Sequence, residues 1–221
     1  MRITWYGHAA FLLEGTSEGR PLRIITDPFS PESGYDPIDE PADILLMSQD
    51  DDRFHSHAAS VTGGPLTIVG RGLPADGVRA RGVHFRALQV WENAERNKNL
   101  NGMFHFELDG VRVAHMGDIG HGLNDEETGA LRGTDVLLAI TGNHQTIAIP
   151  DLVDAIRRIE PKIVVPMHFQ TGKVRLNIQD NAEFLLHYRP EQVEHRDSTT
   201  IDLTPEALPR PTRVVVLKHA R

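Results

Sequence analysis

Short apolar segments separated by turn residues dominate the first part of the chain. Three of them, at residues 2–6, 10–14 and 22–26, predict strands of a β-meander. Residues 28–42 contain four prolines among acidic residues and predict a loop. The apolar run at 43–48 then has the length and the flanks of a buried strand.

The remainder of the chain changes from consecutive strands to alternating strands and helices. Four further strands are predicted at 66–69, 83–88, 103–108 and 111–116, the last two joined by a hairpin at Asp109-Gly110. Helices at 124–131, 150–159 and 177–187 then alternate with strands at 135–140 and 162–166, and a last strand covers 214–217. This alternation favours an α/β fold (α+β in its segregated form) with helices layered on sheets.

Composition supports one ordinary globular domain spanning residues 1–221. Hydrophobic residues make up 39% of the chain and charged residues 24%, which is enough apolar surface for a core. The chain has no cysteine, so disulfides, thiolate catalysis and sulfur-ligated zinc are excluded. Its 12 histidines and its carboxylates are therefore the candidate metal ligands.

The net charge of the chain disfavours some classes of binding partner. A formal net charge of -8 disfavours binding to nucleic acid phosphates or to acidic membranes. No apolar run approaches the roughly 20 residues of a membrane span, and the first residues lack a signal-peptide core. We therefore expect a cytoplasmic protein that acts on a small-molecule substrate, with self-association into a homo-oligomer as the default.

Several polar residues stand just where a predicted strand ends. His8, Asp27, the acidic run at 50–52, Asp118 and His168 each follow such a strand. Because strand ends of one sheet lie along a common edge, we expect these side chains to converge on one site although they are distant in sequence.

Four of these segments carry a family resemblance. The motifs are Trp5-Tyr6-Gly7-His8-Ala9-Ala10-Phe11, Thr26-Asp27-Pro28, His115-Met116-Gly117-Asp118 and Pro166-Met167-His168-Phe169. In this order the chain resembles the metallo-β-lactamase superfamily, in particular its lactonase-like and phosphodiesterase-like metal-dependent hydrolases. The resemblance implies a four-layer αββα sandwich with divalent metal at the sheet edge. It also implies that a metal-bound hydroxide attacks a small ester, lactone or phosphodiester.

The sequence departs from the family in the signature loop His-x-His-x-Asp-His. In register with Ser48, those four positions hold Gln49, Asp51, Arg53 and Phe54. The position of the next family histidine falls on Glu92. By resemblance, Asp118 matches the bridging aspartate and His168 the final histidine.

This register predicts a degenerate metal site. One half-site keeps only the oxygen donors Gln49, Asp51, Glu92 and Asp118, which suit Mg, Ca or Mn better than zinc. The other half-site loses its ligands to Arg53 and Phe54, and the Arg53 guanidinium would oppose a second cation. We therefore expect at most one divalent metal (Mn, Mg or Zn), and a metal-free site with Arg53 as the fixed cation is the alternative.

Roles follow for the remaining candidates. Asp118 and His168 would hold the ion and its water. His8, Asp27 and His115 would support the site through hydrogen bonds. His144, on another strand-end loop, is a candidate substrate contact.

A second register uses His55 and His57, which follow the acidic run. A His-x-His pair on a strand or loop can chelate one ion. If residues 53–60 begin a helix instead, the two rings point in different directions and cannot share it.

Two functions of different class remain open. The first is a metal-dependent hydrolase, and the second is a non-catalytic protein of the same fold that binds a ligand or partner at the altered site. The loss of the four signature-loop residues motivates the second, because a fold alone does not establish an activity.

Overall fold

A computed structural model describes residues 1–143 and 146–221, and most of its strands belong to two large sheets. The strands are β1 (Arg2–Gly7), β2 (Ala10–Ser17), β3 (Arg20–Thr26), β4 (Glu40–Pro41), β5 (Ile44–Met47), β6 (Val61–Thr62), β7 (Leu66–Val69), β8 (Val78–Ala80), β9 (Val83–Trp91), β10 (Leu100–Leu108), β11 (Val111–His115), β12 (Val136–Ile140), β13 (Ile163–Met167), β14 (Val193–His195), β15 (Thr200–Asp202) and β16 (Arg213–Val216). The helices are α1 (Asp125–Ala130), α2 (Ile149–Ile159) and α3 (Ala182–Leu185).

The first sheet has the order β15-β1-β2-β3-β5-β7. Its antiparallel strands β1, β2 and β3 form the predicted meander, in which Leu12 lies opposite Thr4 on one side and Ile25 on the other. From β3 onward the pairing to β5 and β7 is parallel. The second sheet has the order β14-β16-β13-β12-β11-β10-β9-β8, antiparallel from β8 to β11 and parallel from β11 to β16.

Alternation of side chains along each strand of the first sheet divides its apolar residues between two clusters. On β2, Phe11 and Leu13 belong to the main core between the sheets, whereas Ala10 and Leu12 face the other side. Such alternation follows from the two-residue period of a strand. The strands β12 and β13 are buried along their whole length, since they lie under a helix on one face and the first sheet on the other.

Helix α2 covers the second sheet with one apolar face. Its residues Leu152, Val153, Ile156 and Ile159 are buried, as the sequence predicts, and belong to the main core. Proline occupies one of its first two positions, where no backbone donor is needed.

The outer face of the first sheet is covered by irregular chain. The second apolar cluster packs Phe29, Tyr35 and Ile38, from the proline-rich segment, against Tyr6 and Leu12. The predicted loop at 28–42 is thus interrupted only by a short 3-10 turn (Pro31–Ser33) and by β4, which pairs with β6. The predicted α/β class is confirmed, with this segment serving as the covering layer on one side.

The helix predicted at 177–187 is much shorter in the structure, where α3 covers only Ala182–Leu185. The residues before it are used elsewhere. The Gln179 amide donates to the Gly142 carbonyl, and the Gln179 carbonyl accepts from Gln170. Ile178 packs against the second apolar cluster. Helical propensity therefore yields to these tertiary contacts.

Among the described residues, no helix is both long and apolar enough to cross a membrane.

Candidate active site

Five strand ends meet at one edge of the sandwich. His8 follows β1, Asp27 follows β3, Ser48 follows β5, Asp118 lies just beyond β11 and His168 follows β13. Direct bonds join them: the His168 amide donates to the His8 carbonyl at 2.9 Å, and the Ser48 amide to Asp27 Oδ1 at 2.7 Å. The structure thus brings together side chains that the sequence places at separate strand ends.

Three buried imidazoles form the centre of this edge. His8, His55 and His168 each offer a ring nitrogen, and these nitrogens lie within 4.8 Å of one another. Their ring centroids are 4.1 Å apart for His8 and His168, 4.7 Å for His8 and His55, and 5.5 Å for His55 and His168. Three imidazoles at this spacing are a common ligand set for a divalent transition metal.

Polar atoms in this cluster have no hydrogen-bond partner. Both ring nitrogens of His8, Nδ1 of His168, Oδ1 of Asp118 and Oε1 of Glu92 are buried and unpartnered. Buried polar atoms are almost always satisfied, and leaving one unpaired costs about 1–3 kcal/mol. Because these unpaired atoms belong to residues that line one cavity, a cation bound among them would satisfy several of them at once.

The orientation of His55 is fixed from behind by Asp27. Asp27 Oδ2 lies 3.0 Å from His55 Nδ1 and also accepts from the Ser48 hydroxyl at 2.7 Å. With Nδ1 engaged in this way, Nε2 is the nitrogen that faces the site, 3.7 Å from Asp118 Oδ2. A carboxylate behind a ligating histidine fixes its tautomer and raises its basicity.

His115 serves the backbone rather than the cluster. Its Nε2 donates to the Ala9 carbonyl at 2.8 Å, and its Nδ1 accepts from the Gly117 amide at 3.0 Å. Both ring nitrogens are thereby engaged in the neutral form, consistent with burial lowering its pKa. His115 therefore supports the turn that carries Asp118.

Asp118 bridges two members of the cluster. Its carboxylate lies 3.6 Å from His168 Nε2 and 3.7 Å from His55 Nε2, and its amide donates to Asn101 Oδ1 at 3.0 Å. Asp52 forms a second possible ligand group with His55 and Asp118. Its own Oδ1 accepts from the Phe54 amide at 2.8 Å, which closes the turn leading to His55.

A cavity of about 500 Å³ opens over these residues. Besides the histidines and Asp118, Glu92 lines it, so the structure brings this predicted residue to the site. Phe54, Leu176 and Ile178 form apolar walls of the cavity. One lysine, Lys98, also lines it. The combination of apolar walls and a few polar groups is typical of a small-molecule site.

The electrostatics of the cluster reflect close packing of like and unlike groups. Burial, aided by repulsion from His168 and His55, holds the pKa of His8 well below its usual value. For His55 the effect of burial is outweighed by Asp118 and Asp27, which raise its pKa to about 9. Burial and the charge of Asp118 raise the pKa of Glu92 to about 8.

Three residues of the predicted site, the metal ligands Asp51 and Gln49 and the fixed cation Arg53, lie elsewhere. Asp51 is exposed and pairs with Arg71. Arg53 is also exposed, pairs with Glu32 at 2.9 Å and stacks over Phe54. Gln49 is buried two residues beyond the end of β5 and does not line the cavity. The structure therefore does not bring these three side chains to the imidazole cluster, and the predicted substrate contact His144 lies outside the described residues.

The choice between His55 and His57 is resolved by the local turn. His55 is buried against Asp27, whereas His57 is partly exposed and its amide donates to the Pro28 carbonyl at 2.8 Å. A 3-10 turn begins only at Ala58. The sequence signal for His55 was its place shortly after an acidic run, but spacing alone did not separate it from His57 or identify Asp52.

Replacing Asp27 with asparagine is expected to weaken metal binding by about 10- to 100-fold, because His55 Nδ1 loses its carboxylate partner. The measurement is a competition titration of the metal-free protein with a chromophoric chelator. The matched control is Asp43→Asn, since Asp43 also accepts a backbone amide, that of Arg23 at 2.8 Å, far from the cluster. Equal losses in both variants would contradict the role given to Asp27.

Comparison with known proteins identifies the family of the chain. The family described as the β-lactamase superfamily domain matches residues 2–168. A UPF0173 metal-dependent hydrolase of Archaeoglobus fulgidus is 28% identical over 199 residues, covering 77% of this chain and 84% of the relative. One of the same name from Methanosarcina mazei is 29% identical over 217 residues, covering 83% and 89%.

Solved structures show the same architecture. A Thermotoga maritima protein, described as a Zn-dependent hydrolase of the metallo-β-lactamase superfamily, superimposes with a TM-score of 0.75 at 27% identity, covering 98% of this chain and 97% of that one. A metallo hydrolase from Ignicoccus hospitalis shares the fold, with a TM-score of 0.60 at 20% identity over 84% of this chain and 89% of that one. The family match, which extends from β1 to His168, shows that this chain belongs to the β-lactamase superfamily.

Proposed function

We propose that the protein is a metal-dependent hydrolase of a small ester, lactone or phosphodiester. The observation that carries the proposal is the group of buried, unpartnered nitrogens and oxygens on His8, His168, Asp118 and Glu92, all at the floor of one cavity. The names of the superfamily relatives, which are metal-dependent hydrolases, support the same class.

The donor set fits one divalent ion. His8, His55 and His168 supply three nitrogens, with Asp118 beside them. This set is richer in nitrogen than the sequence register predicted, and imidazoles favour Zn over Mg. When bound, the ion would lower the pKa of a water molecule and polarise the oxygen of the substrate.

A single ion follows from the shared use of His55. Both candidate ligand groups, the imidazole cluster and the group of Asp52, His55 and Asp118, need this ring. Because Nδ1 of His55 faces Asp27, only Nε2 is free for a ligand bond. The two groups therefore compete, and one ion through His55 is the expected stoichiometry.

Several residues of the chain would then have separate roles in the proposed hydrolysis. Asp118, held by Asn101 through its amide, orients the attacking water and accepts its proton at the carboxylate. Asp27 keeps the His55 ring in its ligating tautomer. Phe54, Leu176 and Ile178 exclude bulk water from the cavity and contact the apolar part of the substrate.

The proposal is tested by metal analysis and turnover. Purified protein, stripped with a chelator and reloaded with Zn, Mn or Mg, should bind about one ion per chain. It should then hydrolyse at least one member of a panel of nitrophenyl esters, lactones and bis(4-nitrophenyl) phosphate, and lose that activity when stripped again. A protein that holds an ion but hydrolyses no member would favour the non-catalytic alternative, and one that holds no ion would refute the proposal.

A further inference from the structure

A strongly basic region lies at the opposite edge of the second sheet. Two adjoining cavities, of about 250 and 510 Å³, meet where the end of α1 packs beside the starts of β11, β12 and β13. Both are lined by Arg112, Arg132, Gly133 and Thr134, so they form one continuous depression. We call it the basic depression.

The charge of this depression is opposite to that of the whole chain. Its lining contains seven arginines and lysines but only three carboxylates, a local excess of four positive charges in a chain of net charge -8. Concentration of one charge sign in a concave surface raises the local potential and attracts ligands of the other sign.

Most of these cations are not neutralised by neighbours. Among the described residues, no carboxylate forms an ion pair with Arg86, Arg132, Arg157 or Arg210. The other three do have partners, since Lys162 pairs with Asp135 at 2.8 Å, Arg112 with the same carboxylate at 3.4 Å, and Arg158 with Asp125 and Asp154.

Arg112 is held at the centre of the depression in a fixed orientation. Asp135, a buried carboxylate, accepts from the Arg112 amide at 2.9 Å and from Nε at 3.4 Å. The guanidinium lies against Gly133, where any Cβ would collide with Nη1 and where φ is +84°. Glycine at this position makes room for the guanidinium. The terminal nitrogens of Arg112 remain available as paired donors to an oxyanion.

His105 shows the effect of this charge on a neighbour. It lies beside the cations in the smaller cavity, and its ring makes no hydrogen bond with a described residue. Burial, together with the nearby Arg86, lowers its pKa. A negatively charged ligand would relieve this accumulation of positive charge.

The depression is separate from the candidate active site. Arg112 lies near the start of β11, and Asp135 and Lys162 stand just before β12 and β13. Asp118 and His168 lie beyond the other ends of β11 and β13. A strand of five residues extends roughly 17 Å, so one small molecule does not reach both sites.

We propose that the basic depression binds a small anion with at least two phosphate groups, a diphosphate ester or inorganic pyrophosphate. Paired guanidinium donors match phosphate oxygens, and several cations around one cavity favour more than one phosphate. The ligand is small, because the cavities hold a few hundred cubic ångströms and the acidic remainder of the surface repels a long polyanion.

The experiment is calorimetric titration of inorganic pyrophosphate into the full-length protein at constant ionic strength. We expect saturable binding that weakens at least about tenfold in the double variant Arg86→Ala/Arg132→Ala, since charge-assisted hydrogen bonds are lost. Both side chains are exposed and unpaired, so the variant should fold. The control is Arg20→Ala, which removes an exposed arginine from the first sheet, outside the basic depression, and should bind like the parent protein.

Two further arms distinguish binding in the basic depression from binding at the candidate active site and from attraction of any polyanion. The His168→Ala variant should bind pyrophosphate with the affinity of the parent protein, because the substitution lies in the candidate active site and not in the basic depression. Loss of binding in that variant would place pyrophosphate there instead. Absence of saturable binding, equal weakening by Arg20→Ala, or tighter binding of a single-stranded oligonucleotide than of pyrophosphate would each overturn the proposal.

Discussion

Replacing His8 with alanine is expected to lower both metal affinity and hydrolase activity by more than about 100-fold, while the metal-free protein keeps its stability. Loss of a supporting residue already costs about 10- to 100-fold, and His8 is placed as a direct ligand. Its ring makes no hydrogen bond, so its removal relieves two buried unpartnered nitrogens. The left-handed φ of 48° is already strained with histidine, and alanine, which also carries a Cβ, adds little to that strain.

The measurements are elemental analysis after reloading, turnover of the best panel substrate, and urea unfolding of the metal-free protein. His57→Ala is the matched control, because His57 lies two residues from His55 but outside the cluster. If both variants retained a full equivalent of metal, or if both lost it, His8 would not be a ligand.

Replacing Leu13 with alanine is expected to reduce the free energy of unfolding by about 2–5 kcal/mol, because a fully buried side chain is removed and a cavity remains. Leu13 lies on β2 in register with Ile3 and Ile24, and all three are inaccessible to solvent in the core between the sheets. Urea denaturation, analysed with a common slope, measures the change.

The matched control changes the same residue type in the opposite environment. Leu186, at the end of α3, is 85% exposed, and its replacement by alanine should alter the free energy of unfolding by less than about 0.5 kcal/mol. A loss of similar size in the two variants would mean that burial in this core does not determine the cost.

The alternation of apolar residues predicted most of the sheet structure. Along β2 successive apolar side chains belong alternately to the two apolar clusters, and the wholly apolar runs of β12 and β13 are buried along their whole length. Helix α2 was predicted for the same reason, because its apolar face repeats with helical spacing. These elements could be predicted from local sequence because the spacing of apolar residues reflects which side chains are buried.

The pattern failed where long-range contacts decide the conformation. The segment before α3 resembles a helix in sequence, but Gln179 bonds to Gly142 and Gln170 instead. The proline-rich segment resembles a plain loop, yet Phe29 and Tyr35 complete the second apolar cluster. The residues that contact these two segments are distant in the sequence, so local sequence patterns do not predict the contacts.

The residues of the candidate site were also predicted only in part from the sequence. Asp118 and His168 are brought together as the motif order predicted, and Glu92 lines the same cavity. The aligned register assigned ligand roles to Asp51 and Gln49, which lie away from the cluster, whereas His55, which the second register used, belongs to it. The unpaired nitrogens of His8 were invisible in the sequence, since satisfaction of a polar atom is a property of three-dimensional neighbours.

Backbone conformation gives the cluster one more property. His8, Asp27 and His168 adopt left-handed φ values of 48°, 35° and 54°, which side-chain-bearing residues seldom occupy. Such conformations persist only where the surrounding fold enforces them. The scaffold, rather than the bound ion, therefore sets the spacing of the donors, and discrimination among ions by radius would be built into the polypeptide before any of them arrives.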